Sequence, residues 1–145
     1  MQSTELLLQG LAEKKVYYFA SQSINSAEPH YWIVVKVSEN QIIHFACCTS
    51  QFKKRKLFIE SRNLPQETLV YIQANDDVPF TKDTYVDCNA RLHALPVSDF
   101  IKKYESQDLT LKGEVKDSHF QQIITGIHAS PLVEEDFKST LKKEI

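Results

Sequence analysis

The chain has 145 residues, of which 42% are hydrophobic and 25% charged, and its formal net charge is −2. That size and balance suit one globular domain whose core needs no disulfide or metal staple. A slightly acidic chain excludes tight, sequence-blind nucleic-acid binding by bulk electrostatics, so any such binding must come from a local patch.

From the N-terminus, Leu6, Leu7, Leu8 and Leu11 fall nearer a helical than a strand rhythm, with Ser3 as a cap, and predict a helix over 1–14. Val16 to Ala20 is rich in strand formers. Ser21 to Glu28 is a polar loop that ends at Pro29. Tyr31 to Val37 and Gln41 to Cys48 read as strands, and the turn Ser38-Glu39-Asn40 between them predicts a hairpin. Thr49 to Arg55 is polar and basic and predicts a loop; Lys56 to Glu60 predicts a short strand. Thr68 to Gln73 sets Leu69 and Tyr71 on one face and Val70 and Ile72 on the other, until Asn75-Asp76-Asp77 breaks the run. Thr84 to Cys88 and Arg91 to Leu95 are two further strand-like runs.

After Pro96 the rhythm changes. Val97, Phe100, Ile101 and Tyr104 share one helical face. Leu109 to Val115 alternates as a late strand. Ser118 with Gln121 has the spacing of a capping box, and the helix it would open puts Phe120, Ile123, Ile124 and Ile127 on one face. Pro131 suits the start of a last helix over 131–145, facing inward with Leu132 or Val133, Phe137 and Leu141. Strands crowd residues 16–95 and helices follow. The expectation is therefore an α+β fold in a single domain over 1–145: a small, strongly bent antiparallel β-barrel with helices packed on one side.

No apolar run approaches the roughly 20 residues of a membrane span. The stretch Met1-Gln2-Ser3-Thr4-Glu5 lacks the basic start of a secretory signal, so a cytoplasmic location is expected. Cys47, Cys48 and Cys88 fit no metal or redox spacing and read as small buried hydrophobes. His44, His93, His119 and His128 show no metal-ligand spacing, and adjacent carboxylates such as Asp76 and Asp77 point apart in an extended loop. Three glycines make no phosphate loop, and there is no nucleophile elbow, so neither metal nor cofactor is expected.

Three segments carry a resemblance. Pro29-His30-Tyr31-Trp32-Ile33-Val34-Val35 is a loop running into an apolar strand, Ala46-Cys47-Cys48-Thr49-Ser50-Gln51 is a strand ending in Thr-Ser, and Phe120 to Ser130 is a late helix ending in Ala-Ser. Together with the strands between them, over about residues 15–130, they resemble the MazF/PemK/Kid family of toxin ribonucleases, whose fold is an SH3-like barrel related to CcdB. The resemblance implies a metal-independent endoribonuclease for single-stranded RNA, a homodimer, and a partner antitoxin. Thr49 matches the family's active-site threonine, while His30 stands where the family carries an arginine beside proline. Some members place an arginine and an aspartate around a cysteine in a later strand, where this chain has Asp87-Cys88-Asn89.

Cleavage through the RNA 2′-hydroxyl needs a base, an acid and donors to the phosphate. His30 is the candidate acid or base. Thr49, Ser50 and Gln51 are candidate donors to phosphate, with Thr49 and Ser50 catalytic and Gln51 binding RNA. Lys53, Lys54 and Arg55 begin the densest basic run in the chain and are candidates to hold the RNA backbone. The reading from a different class is a non-catalytic domain of the same fold that binds a protein partner such as an antitoxin.

Overall fold

The computed structural model describes residues 12–20, 29–89 and 93–141. The helix expected over 1–14 and the loop 21–28 fall almost wholly outside the described residues. The strands are β1 (Lys15–Phe19), β2 (His30–Val37), β3 (Ile42–Thr49), β4 (Leu69–Ile72), β5 (Thr84–Asp87), β6 (His93–Pro96) and β7 (Leu109–Glu114). The helices are α1 (Phe52–Ser61), α2 (Val97–Glu105), α3 (Asp117–Ala129) and the short α4 (Glu135–Lys138).

All strand pairs are antiparallel, in the order β4-β5-β3-β2-β1-β7, with β6 also on β3. β3 is the shared strand. One edge runs along β2, while the other is divided: Ile42 to Phe45 pair with β6, and Cys48 and Thr49 with β5. The β2–β3 hairpin closes through Ser38, whose carbonyl accepts from the Gln41 N–H at 3.0 Å. Gln41 takes the left-handed conformation at φ 62°.

Strand alternation sorts the core into two layers. Tyr17, Phe19, Trp32, Val34, Ile43 and Phe45 point to one face, where Phe100 of α2 packs on them. Val16, Ile33, Val35, Ala46 and Cys48 point to the other, under Phe120, Ile123, Ile124 and Ile127 of α3. Phe137 of α4 packs against the same layer. α1 lies over β5 on the α2 side, since it meets Tyr85 and Asp87, which alternate with the α3-facing Val86.

The seven-stranded antiparallel sheet and the helices make an α+β fold, but two parts of the expected architecture differ. Among the described residues the strand path ends at β4 and β7 without joining them, so the sheet they form is not closed. The helices cover both faces rather than one side. The continuous burial of Trp32, Ile33, Val34 and Val35 gives the reason: a strand apolar at both parities has to be covered twice.

Three local expectations are corrected as well. The loop to Arg55 and the strand Lys56–Glu60 are instead one helix, α1. The triplet Leu57-Phe58-Ile59 suits either element, and good helix formers around it decide the matter. Its end is a Schellman motif, with Asn63 left-handed at φ 52°, its N–H on the Glu60 carbonyl and the Leu64 N–H on the Ile59 carbonyl. The Ser118–Gln121 capping box does not form: α3 already starts at Asp117, and Lys116 at its N-cap has no side-chain capping bond. Of the last helix expected over 131–145, the described residues hold only Glu135–Lys138 and residues 142–145 lie outside them, although Phe137 and Leu141 still pack inward.

Candidate functional site

Register builds the site. Trp32 pairs with Cys47, so His30 and Thr49, two residues further out on each strand, end opposite one another. Thr49 pairs with Tyr85, and Tyr85 with Tyr71. Directly opposed residues share a face. His30, Thr49, Tyr85 and Tyr71 therefore form a row across four strands at one end of the sheet, on the α1 side.

Asp87 lies one row further in, buried, and α1 delivers Arg55 to it. The Arg55 Nη1 is 3.2 Å from the Asp87 Oδ2, and the Asn89 N–H donates to Oδ1 at 2.9 Å. Burial pushes the Cys47 thiol up to about 11; Asp87 adds to that and Arg55 opposes it, so the three groups share one neighbourhood. The network runs on inward. The Asn89 Nδ2 donates to the Thr68 Oγ1 and the Ser130 hydroxyl to the Asn89 Oδ1, each at 2.6 Å.

His30 and Thr49 are half-buried. The His30 ring lies 6.5 Å from the Trp32 ring at 71°. The Thr49 Oγ1 accepts the Gln51 N–H at 3.1 Å, which fixes the step from β3 into α1 and leaves the hydroxyl proton to donate. Ser50 and Gln51 are exposed on that step. The same strand ends border an open cleft of about 370 Å³. His30, Thr49, Ser50 and Gln51 lie along it, and Tyr18, Tyr31 and Phe80 form its aromatic wall.

The basic candidates divide differently. Lys53 and Lys54 are exposed on the first turn of α1 and do not line the cleft. Arg55 is turned inward onto Asp87 and stacks over the Phe58 ring at 5.3 Å. The sequence reading missed Tyr71, Tyr85 and Phe52 on this surface. Asp87 was in view only as part of Asp87-Cys88-Asn89, and no sequence signal links it to Arg55 across 32 positions.

A second polar cluster lies elsewhere and corrects another expectation. Asp76 and Asp77 do not point apart: the turn after β4 brings both onto His119. The Asp77 Oδ2 is 2.7 Å from the His119 Nδ1, and the Asp76 Oδ2 is 3.2 Å from Nε2. Lys116 joins through its Nζ to Asp76 at 2.7 Å and its N–H to Asp77 at 3.1 Å. The cluster clamps the β4–β5 connection to the start of α3. Lys116 holds the Asp76 carboxyl below its usual range.

No helix among the described residues is long and apolar enough to cross a membrane. A scan with protein-family models finds no match to this chain, and a search of curated proteins finds no similar one.

Proposed function

We propose that this protein acts on single-stranded RNA as a toxin-type, metal-independent endoribonuclease, at the outer end of β2, β3 and β5. The observation that supports this reading is the convergence of an imidazole, a hydroxyl and a guanidinium–carboxylate pair at one sheet end: His30 opposite Thr49, with Arg55 and Asp87 one row in. In the proposed reaction the RNA 2′-oxygen attacks the adjacent phosphorus and the bond to the 5′-oxygen breaks. The products are a 2′,3′-cyclic phosphate and a 5′-hydroxyl. His30 moves the proton, Thr49 and Ser50 donate to the phosphate oxygens, and Gln51, Lys53 and Lys54 hold the backbone. The open sheet is read as a divergent relative of the SH3-like barrel. A cytoplasmic homodimer with a cognate antitoxin completes the proposal.

The test is to incubate the pure protein with long mixed-sequence RNA in EDTA and to express it in cells. Cleavage to 2′,3′-cyclic phosphate ends and growth arrest are expected. His30→Ala should lower cleavage by about 10²–10⁴-fold, the usual contribution of a general acid or base. A folded protein that neither cuts RNA nor arrests growth overturns the enzyme reading.

One observation favours a non-catalytic domain that binds a protein partner. Arg55, the arginine nearest the row, is already paired with Asp87, so its guanidinium is not offered to a phosphate. That reading takes over if the same experiment finds neither cleavage nor toxicity.

A further inference from the structure

The row that contains Thr49 continues into something the proposed chemistry does not use. Tyr71 and Tyr85 stack with ring centres 5.3 Å apart at 26°, and Phe52, at the start of α1, lies 4.8 Å from Tyr85 at 35°. The outer members are open to solvent: Tyr71 is 47% exposed, on the edge strand β4, and Phe52 is 38% exposed. A core needs no such arrangement, because two large rings are left half in water.

The charges around it are sorted. On the α1 side, Lys53 and Lys54 are exposed, Lys56 lies 5.6 Å over the Phe52 ring, and Arg62 lies 4.7 Å over the neighbouring Phe58 ring. Glu60 is the one acid of that helix and faces Lys56 at 3.9 Å. The Tyr71 end is acidic instead: its hydroxyl donates to the Asp83 Oδ1 at 3.1 Å, and Asp76 is near. A polyanion is thereby drawn to one side of the ladder and repelled from the other.

We propose that Tyr71, Tyr85 and Phe52 form a base-stacking ladder for single-stranded nucleic acid, with the phosphates carried along α1. This deepens the RNA reading above and rests on it. Flat rings accept any base by stacking, and cations beside them track the backbone. Tyr85 sits directly opposite Thr49, so a strand on the ladder runs toward the row assigned to the reaction. An acidic peptide would use the cations of α1 but has no need of stacked rings, which is why a nucleic acid fits this surface better.

The experiment measures binding of the full chain to a labelled single-stranded RNA of about ten nucleotides. Its other arms are DNA of the same sequence, the same RNA made abasic, and polyglutamate. Intact RNA and DNA should both bind, and the abasic strand should bind about tenfold more weakly, as the loss of a stacked base implies. Tyr71→Ala and Phe52→Ala should each weaken binding by about tenfold, whereas Tyr71→Phe, which keeps the ring and loses the Asp83 contact, should bind as the wild type does. Equal binding of abasic and intact RNA by the wild type overturns the ladder even if a variant fails to fold. RNA binding untouched by Tyr71→Ala in a folded protein overturns the ladder and leaves the RNA reading standing. Stacking-dependent binding without cleavage does the reverse, retaining the ladder and removing the nuclease. Capture of polyglutamate with no affinity for nucleic acid overturns both and points to a protein partner.

Discussion

Tyr17 is buried with its ring edge-on to Phe100, centres 5.0 Å apart at 89°, and its hydroxyl has no hydrogen-bond partner among the described residues. A buried hydroxyl left unpaired costs roughly 1–3 kcal/mol. Tyr17→Phe keeps the ring contact and removes that cost, so its thermal midpoint should rise; a clear fall would mean that the hydroxyl has a partner. Burial, and then Tyr104, push the Tyr17 phenol up from its ordinary value near 10 to about 12. The sign follows from linkage: the folded state holds the proton more tightly, so this contribution is complete below pH 10 and is lost as pH rises from 10 towards 12. Wild-type stability, measured by urea unfolding, should therefore fall faster across that range than the stability of the Tyr17→Phe protein. An identical pH dependence for the two would sink the assignment.

At the scale of elements, α3 meets the turn just before β4 and the residue just after β5 at a glycine for a specific reason. A Cβ on Gly126 would lie 2.7 Å from the Glu67 carbonyl oxygen and 2.8 Å from the Cys88 Sγ. Alanine would gain about 1 kcal/mol of helix propensity. Overpacking against a backbone carbonyl costs about 1–3 kcal/mol and should win. Gly126→Ala should then lower the urea midpoint, and an unchanged or higher midpoint would show that α3 can back away from the sheet. Elements with a clear period were legible in the sequence. The strands β2 and β3, as runs of strand formers around a turn, and the buried face Phe120, Ile123, Ile124 and Ile127 came through as read. α1 did not, because three consecutive apolar residues carry no period; beside the helix formers around them, the signal that could have found it was Asn63-Leu64-Pro65, a helix stop just beyond. Of the candidate site, the placement of His30 and Thr49 at strand ends was legible. The Tyr85–Tyr71 row and the Arg55–Asp87 pair were not, because neither strand order nor the docking of α1 is written in local spacing.

For the whole molecule, the burial of every residue from Trp32 to Val35 was the available sign that both faces of the sheet are covered. The two layers differ in chemistry. One is dominated by aromatic rings, with Tyr17, Phe19, Trp32, Phe45 and Phe100, and the other is mainly aliphatic around Phe80 and Phe120 and holds the Cys48 and Cys88 thiols. Two cores on opposite sides of a sheet could melt separately if each had its own strands. Here β3 belongs to both, with Ile43 and Phe45 in one layer, Ala46 and Cys48 in the other, and a divided edge that binds β6 and β5 at once. Losing either layer unpairs the strand that carries the other. Unfolding should then be a single cooperative event. In a Cys47→Ser background, which removes the half-buried thiol, the near-ultraviolet dichroism bands of the single tryptophan, Trp32, would report the aromatic layer and alkylation of Cys48 and Cys88 the other. The two signals should share one urea midpoint. Thiols that react well before the dichroism falls would mean that β3 can release one side of the molecule while keeping hold of the other.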